Sequence, residues 1–224
     1  MHIPDGFLDG PTSVATAVAA TAAVGYGLRR ARLELDDRRA PLLGVTAAFI
    51  FAAQMLNFPI AGGTSGHFLG AALAAILLGP WLACVTMAVV VGTQALLFAD
   101  GGVTALGANV LNMGVVGALA VGLCVRPLLR RLPAGGPAHL AAVGVAAFVA
   151  VELGALATAL ELGVSGTVPL AVVLPAMLGV HVLIGVGEAV VTVAAVAAVV
   201  AARRDLLDGA AVEHAAHLAS PIGA

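Results

Sequence analysis

Lysine does not occur among the 224 residues, and charged residues of every kind make up only 10% of the chain. A soluble globular domain carries about a quarter charged residues, so that class is excluded. With 61% hydrophobic residues and a mean hydropathy of +1.10, the chain reads as an integral membrane protein. The missing lysine also excludes a P-loop ATPase, whose phosphate cradle needs the lysine of Gly-x-x-x-x-Gly-Lys-Ser/Thr. There are two cysteines, Cys84 and Cys124. They fall on different spans toward the cytoplasmic ends, where a disulfide is not expected, and read as packing residues. No positive charge precedes the first apolar stretch, contrary to the pattern of a cleavable signal, so Met1 is expected to stay in the mature protein.

The ten cations are all arginines and fall in three clusters, Arg29 to Arg39, Arg126 to Arg131, and Arg203 with Arg204. Ala40 to Ala99 is a run of 60 residues without Asp, Glu, Lys or Arg, room for three helices at about 20 residues per span. The pattern predicts an all-α bundle of seven spans near 11–28, 41–58, 67–79, 81–98, 104–125, 138–160 and 177–202. Placing every arginine cluster in the cytoplasm puts the amino terminus outside and the carboxyl terminus inside. The bundle would occupy residues 1–204 as one unit with an outer segment 1–10, followed by a cytoplasmic tail over 205–224. Asp5, Asp9, Asp100 and Glu161 then leave the outer face mildly attractive to cations. The segment from Leu162 to Pro175, broken by Gly163, Gly166, Pro169 and Pro175, is expected to pack as an irregular outer lid.

Two features stand out from this apolar background. The chain opens Met1-His2-Ile3-Pro4-Asp5-Gly6, and a second histidine closes the turn Gly62-Gly63-Thr64-Ser65-Gly66-His67 on the same outer side. A terminal amine, the first peptide nitrogen and the Nδ1 of a histidine in position two close a five-membered and a six-membered chelate ring around one ion. One more imidazole completes four nitrogens. Such a near-planar set favours nickel(II) or copper(II), whereas zinc prefers a tetrahedron and magnesium or calcium prefer oxygen. The amine and the peptide nitrogen must be deprotonated, so capture should weaken as pH falls. The alternative is that His2 is an exposed terminal residue without a role.

Polar residues inside spans usually face the bundle interior. Gln54, Asn57, Gln94, Asn109 and Asn112 cluster at one depth near the outer ends of their spans. Each could be an interhelical hydrogen bond; together, with Ser65 in the turn, they read as groups that orient the ligating imidazoles and the backbone near them. Deeper lie Glu152, His181 and Glu188. His181 and Glu188 are seven apart, on one helix face, and read either as a relay or state-dependent lock or as a static buried pair. Ala15, Ala19, Ala23 and Gly27 form a small-residue stripe on span one, suited to close helix contact within the bundle or with a partner. Glu213, His214 and His217 in the tail read as solvated.

The opening MHIPDGFL, the stretch FAAQMLNFPIAGGTSGHFLGA at 51–71, ALLFADGGVTALGANVLNMGVVG at 95–117 and HVLIGVGEAVVT at 181–192 resemble the CbiM/NikM family, the substrate-binding membrane components of energy-coupling-factor transporters for cobalt and nickel. The resemblance covers most of the chain. It implies a largely planar site holding Co(II) or Ni(II) as cargo through Met1, His2 and His67, an amino terminus folded back into the bundle, and no organic cofactor. It also implies a transmembrane coupling subunit of the CbiQ/NikQ type, cytoplasmic ATPase subunits of the CbiO/NikO type and a small accessory membrane subunit of the CbiN type, here expected as a separate chain. On this reading the protein is a non-enzymatic subunit of a bacterial cell-membrane importer tied to cobalamin biosynthesis. Two other readings stand beside it. Gly63-Thr64-Ser65-Gly66 and Gly163-Val164-Ser165-Gly166 match the short Gly-x-Ser-Gly pattern of intramembrane serine proteases, with His181 as a base. A self-sufficient metal channel is the other.

Overall fold

The computed structural model describes residues 1–37, 39–56, 58–60, 64–203 and 206. The chain is mostly helical, with α1 over Gly10–Glu34, α2 over Arg39–Gln54, α3 over Ala71–Leu78, α4 over Pro80–Leu97, α5 over Leu106–Leu129, α6 over Pro137–Val164 and α7 over Leu170–Arg203. Among the described residues, α4, α5, α6 and α7 are long and apolar enough to cross a membrane, and α2 is a shorter apolar helix. Large apolar side chains such as Val18, Phe49, Val89, Val145, Leu183 and Val190 point outward. An apolar exterior around a small-residue interior is what a bilayer selects.

Several boundaries depart from the sequence reading. The second span ends at Gln54, not 58, because the chain turns there into a two-stranded antiparallel ribbon, β1 over Phe58–Ile60 and β2 over Thr64–Gly66, in which Pro59 faces Ser65. A Pro and a glycine pair interrupt helix at this point, and pairing the two short segments satisfies backbone groups that would otherwise be orphaned. The third expected span is the eight-residue α3, only about 12 Å long and too short to cross a bilayer. The outer lid is a correction: α6 runs on to Val164, a tight turn follows, and α7 begins at Leu170 with Pro175 inside it. Pro175 comes early in the helix, where few backbone bonds are lost. The 34 residues of α7 reach about 51 Å, so this helix overshoots a bilayer core of about 30 Å.

All eight residues of α3 are buried, and its ends are closed by charged side chains from later helices. Both oxygens of Glu188 on α7 accept backbone N–H groups just before the helix, and Arg126 on α5 donates through Nε to the Ile76 carbonyl near its end, at 3.3 Å. A carboxylate at the amino end and a guanidinium at the carboxyl end complement the helix dipole. Around this pivot α5 packs through glycines. A methyl on Gly117 would lie 2.9 Å from Ala71 Cβ, and one on Gly122 would lie 2.6 Å from Pro80 Cβ. The α1 stripe divides. Ala15 and Ala19 are exposed, while Gly27 is buried against Trp81 and Val85 of α4. Cys84 is buried as expected, whereas Cys124 lies on the exposed outer surface of α5, a correction to its reading as a packing residue.

Candidate metal centre

The first three residues are apolar or uncharged enough to enter the bundle, and they do. Met1 is 1% exposed, His2 3% and Ile3 0%. Pairwise bonds hold the segment there. The Ile3 N–H donates to Asn109 Oδ1 at 2.7 Å, Asn109 Nδ2 donates to the Ile3 carbonyl at 3.0 Å, and the Gly102 N–H donates to the same carbonyl at 2.9 Å. Further out, Asp5 accepts from the Thr104 N–H at 2.7 Å and from its hydroxyl at 2.6 Å. The Thr167 hydroxyl donates to the Phe7 carbonyl, and Asp9 caps α1 by accepting from the Thr12 N–H at 2.9 Å. The amino terminus is thus threaded inward between the loop before α5 and the turn before α7.

At the end of this thread the Met1 amine lies 3.1 Å from His67 Nε2. The other ring nitrogen of His67 donates to the Phe68 carbonyl at 2.6 Å, which fixes the tautomer and leaves a lone pair on Nε2. Two nitrogens bound at right angles to one ion, with bonds near 2.0 Å, would stand about 2.8 Å apart, close to the observed separation. The His2 ring lies beside them, its centroid 4.8 Å from that of His67. Both His2 nitrogens are buried without a hydrogen-bond partner, and Nε2 is 3.6 Å from Asp100 Oδ2. Leaving such groups unmet costs about 1–3 kcal/mol each. An ion on Nδ1, with Nε2–H turned toward Asp100, would satisfy the ring.

Electrostatics favour the ligating forms. Burial lowers the Met1 amine from 8.0 to about 5, against the opposing charge of Asp100. Burial, then the charge of the terminal amine, lowers His2 from 6.5 to about 3. His67 is pushed well below its usual value by burial, then by the terminal amine and by His2, with His181 adding a smaller push. All three groups are therefore neutral at pH 7, the state a metal requires. Among the described residues no cluster of three or more His, Cys, Asp or Glu side chains could hold an ion, so the donor set that fits uses the terminal amine and main chain as well as the two imidazoles.

The residues expected to orient this site are dispersed. Asn109 binds Ile3 directly. Gln54 Nε2 donates to the Leu69 carbonyl at 2.6 Å, two residues beyond His67. Gln94 makes no side-chain hydrogen bond, its two polar atoms being buried and unbonded; its carbonyl accepts the Phe98 and Asp100 N–H groups and so shapes the loop that carries Asp100. Asn112 turns away from the imidazoles, donating to Glu161 Oε2 at 2.6 Å and to the Thr158 hydroxyl at 3.2 Å. Ser65 sits in β2, and Asn57, His214 and His217 lie outside the described residues. His181 and Glu188 are not a pair with each other, which corrects the static-pair reading. His181 Nδ1 donates to the Met177 carbonyl at 2.6 Å, whereas Glu188 binds backbone. Glu152 on α6 is half-buried, with Oε1 unbonded.

Sequence reasoning missed Asp100 as the group facing His2, and it missed the glycines that make room. Gly101 adopts φ +97°, and a methyl there would lie 2.9 Å from His2 Nδ1; a methyl on Gly154 would lie 3.2 Å from the Met1 sulfur. The run Asp100-Gly101-Gly102 after an apolar helix was the available signal. Ser165, offered as a nucleophile, donates to Asp9 at 3.4 Å and not to an imidazole.

Comparison with known proteins places the chain among metal transport proteins. Residues 2–206 match the family model CbiM, the cobalt uptake substrate-specific transmembrane region. A putative metal transport protein of Haloquadratum walsbyi is 44% identical over 209 residues, covering 92% of this chain and 93% of its own length. A putative fused nickel transport protein NikMN of Archaeoglobus fulgidus is 43% identical, covering 93% of this chain and 68% of its own. A crystal structure of a truncated transition metal transporter superimposes with a TM-score of 0.79 at 33% identity, over 88% of this chain and 96% of that one.

Proposed function

The chain belongs to the CbiM family, a multi-pass membrane component of cobalt and nickel transport, and from that membership we propose that it is the substrate-specificity subunit of an ATP-driven importer. It captures Co(II) or Ni(II) on the outer side in a near-planar site of four nitrogens: the Met1 amine, the His2 peptide nitrogen, His2 Nδ1 and His67 Nε2. The observation that carries this reading is the buried approach of the Met1 amine to His67 Nε2, at 3.1 Å, beside a His2 ring whose nitrogens make no hydrogen bond. Capture expels the terminal segment's water and exchanges protons for the ion. A preset, desolvated nitrogen plane discriminates against oxygen-seeking magnesium and calcium and against tetrahedral zinc.

The proposed orientation has the amino terminus outside and the carboxyl terminus in the cytoplasm, with seven helical segments forming one bundle over 1–204. The arginine distribution supports it. Because the chain has no lysine, it cannot supply a P-loop of its own, and energy would come from partner ATPases through a transmembrane coupling subunit. The name of the fused NikMN relatives supports a small accessory partner of the CbiN type. X-ray absorption on purified protein loaded with nickel tests the site. Four nitrogen neighbours in wild type and three in H67A are expected, and an oxygen-dominated or unchanged shell in H67A would contradict it. Uptake by cells with and without the partner ATPases tests the coupling, and separates it from a self-sufficient channel, which would pass metal downhill in either.

A further inference from the structure

His67 sits on the four-residue link between β2 and α3, and what holds that link in place is a side chain far away in sequence. Glu188, 2% exposed on α7, directs both carboxylate oxygens at it. Oε2 accepts the Leu69 N–H at 2.7 Å and Oε1 accepts the Gly70 N–H at 2.8 Å. These are the donors at the amino end of α3, where Gly70, at φ +82°, offers no side-chain cap. From the opposite side Gln54 on α2 donates to the Leu69 carbonyl at 2.6 Å. The link is thus gripped at consecutive peptide groups, and little room remains for it to shift: a methyl on Gly70 would lie 2.7 Å from Ile50 on α2. Leu69 is itself buried. Leu69 and Gly70 follow His67 by two and three residues, so this grip acts on the backbone that carries His67 with its Nε2 toward Met1.

We propose that Glu188 is the positioning residue for the fourth metal ligand, a clamp through which α7 sets whether His67 faces the Met1-His2 chelate. This rests on the metal-site reading above and adds to it a mechanical link between the last helix and the ion. One side chain bonded to two consecutive backbone N–H groups fixes the link in two directions, and supporting groups of this sort commonly change metal affinity 10–100-fold. The other half of the site, Met1 with His2, is held separately, by Asn109 and Gly102 through Ile3. Movement of α7 would therefore open the site at His67 while leaving the terminal chelate intact.

The test compares cobalt and nickel dissociation constants and visible ligand-field spectra of wild type, E188Q, E188A, H67A and H67A/E188Q, with T192V as a control. Thr192 lies on the same buried face of α7 one turn further along, and its hydroxyl makes no hydrogen bond. E188Q keeps the shape and loses one acceptor, and E188A loses both. The expected result is a loss of affinity of about 10-fold or more for E188Q and about 100-fold for E188A, with the E188A spectrum at saturation matching H67A, and T192V behaving as wild type. In the H67A background, E188Q should cost nothing further, because the clamp acts only through His67. An equal additional loss in that background would overturn the proposal, reducing Glu188 to a general attraction for cations or to bundle packing, as would wild-type constants and spectra in E188A. If H67A itself binds like wild type, the metal-site reading fails first, and that outcome is distinct from failure of the clamp alone.

Discussion

Gly101→Ala is a one-methyl test of the geometry around His2. Gly101 sits at φ +97° in the loop between α4 and α5, and the added methyl would lie 2.9 Å from His2 Nδ1, 3.1 Å from Asn109 Nδ2 and 3.4 Å from His2 Cγ. Two costs follow. The left-handed backbone costs an L-residue about 1–2 kcal/mol, which appears as lower stability with or without metal. The contact then forces the imidazole back by a few tenths of an ångström, at the nitrogen that must face the ion. Displacing a supported ligand to that extent weakens metal binding about 10-fold or more, equivalent to about 1.4 kcal/mol, beyond the stability loss. The assay is isothermal titration with nickel and cobalt, alongside thermal unfolding in detergent without metal. Gly92→Ala on α4 is the control, since its methyl would meet nothing within 4 Å. A G101A protein that is destabilised yet binds nickel as tightly as wild type would refute the placement of His2 Nδ1 in the site.

The remaining predictions concern the same thread. As pH falls, protons compete for the Met1 amine; because burial lowers this group from 8.0 to about 5, its share of that competition is largely absent above pH 5 in the protein but present below pH 8 in a free peptide with the same first residues, so nickel capture should weaken less between pH 8 and 5 in the protein than in the peptide. The same shift means that the unfolded segment binds more protons than the folded one between those values, so the metal-free stability of the inserted terminus should fall as pH drops from 8 to 5, readable by hydrogen exchange at Ile3. Asn109→Leu removes the acceptor of the Ile3 N–H and one donor to its carbonyl, at a cost of about 1–3 kcal/mol for each group left unmet; the terminus should loosen, and the Met1 amine should become reactive to an acylating reagent that spares it in wild type. H2A should lose tight binding because the six-membered ring through Nδ1 opens and only the amine–peptide ring remains, while H67A should retain weaker binding through the terminal chelate, as competition titrations would show.

The proposed chelate could be written from the sequence because one built on the first two residues is local: the residue order alone fixes ring sizes and donor types. Its partner His67 was legible from its place in a glycine-rich turn on the same side of the bundle. The role of Glu188 was not, because it bonds to backbone N–H groups of Leu69 and Gly70, and backbone donors leave no mark in a sequence. For the same reason the polar residues at one depth looked equivalent, yet Asn109 grips Ile3 while Asn112 serves Glu161. The stretch 162–175 looked too broken for helix, but Gly163 falls in the last turn of α6, and Pro175, the sixth residue of α7, removes one backbone N–H from a helix of 34 residues without ending it. The apolar helices themselves were easy to place, since a bilayer demands long uncharged runs. The ribbon over 58–66 was not, since two three-residue strands carry too short a pattern to read.

The central claim is that the terminal amine of Met1 is a ligand, and a two-residue extension decides it. Protein beginning at Met1, its terminus verified by sequencing, and a variant carrying two extra residues before Met1, so that the histidine stands fourth and its Nδ1 cannot close a chelate with the new amine, would be exposed to equimolar cobalt, nickel, copper and zinc, desalted and analysed by elemental mass spectrometry. The account predicts about one transition-metal ion per chain in the first and none in the second, since the extension converts the Met1 amine into a peptide nitrogen and moves the free amine out of register with His2 Nδ1 and His67 Nε2. Equal metal in both would remove the Met1 amine from the site and contradict the account.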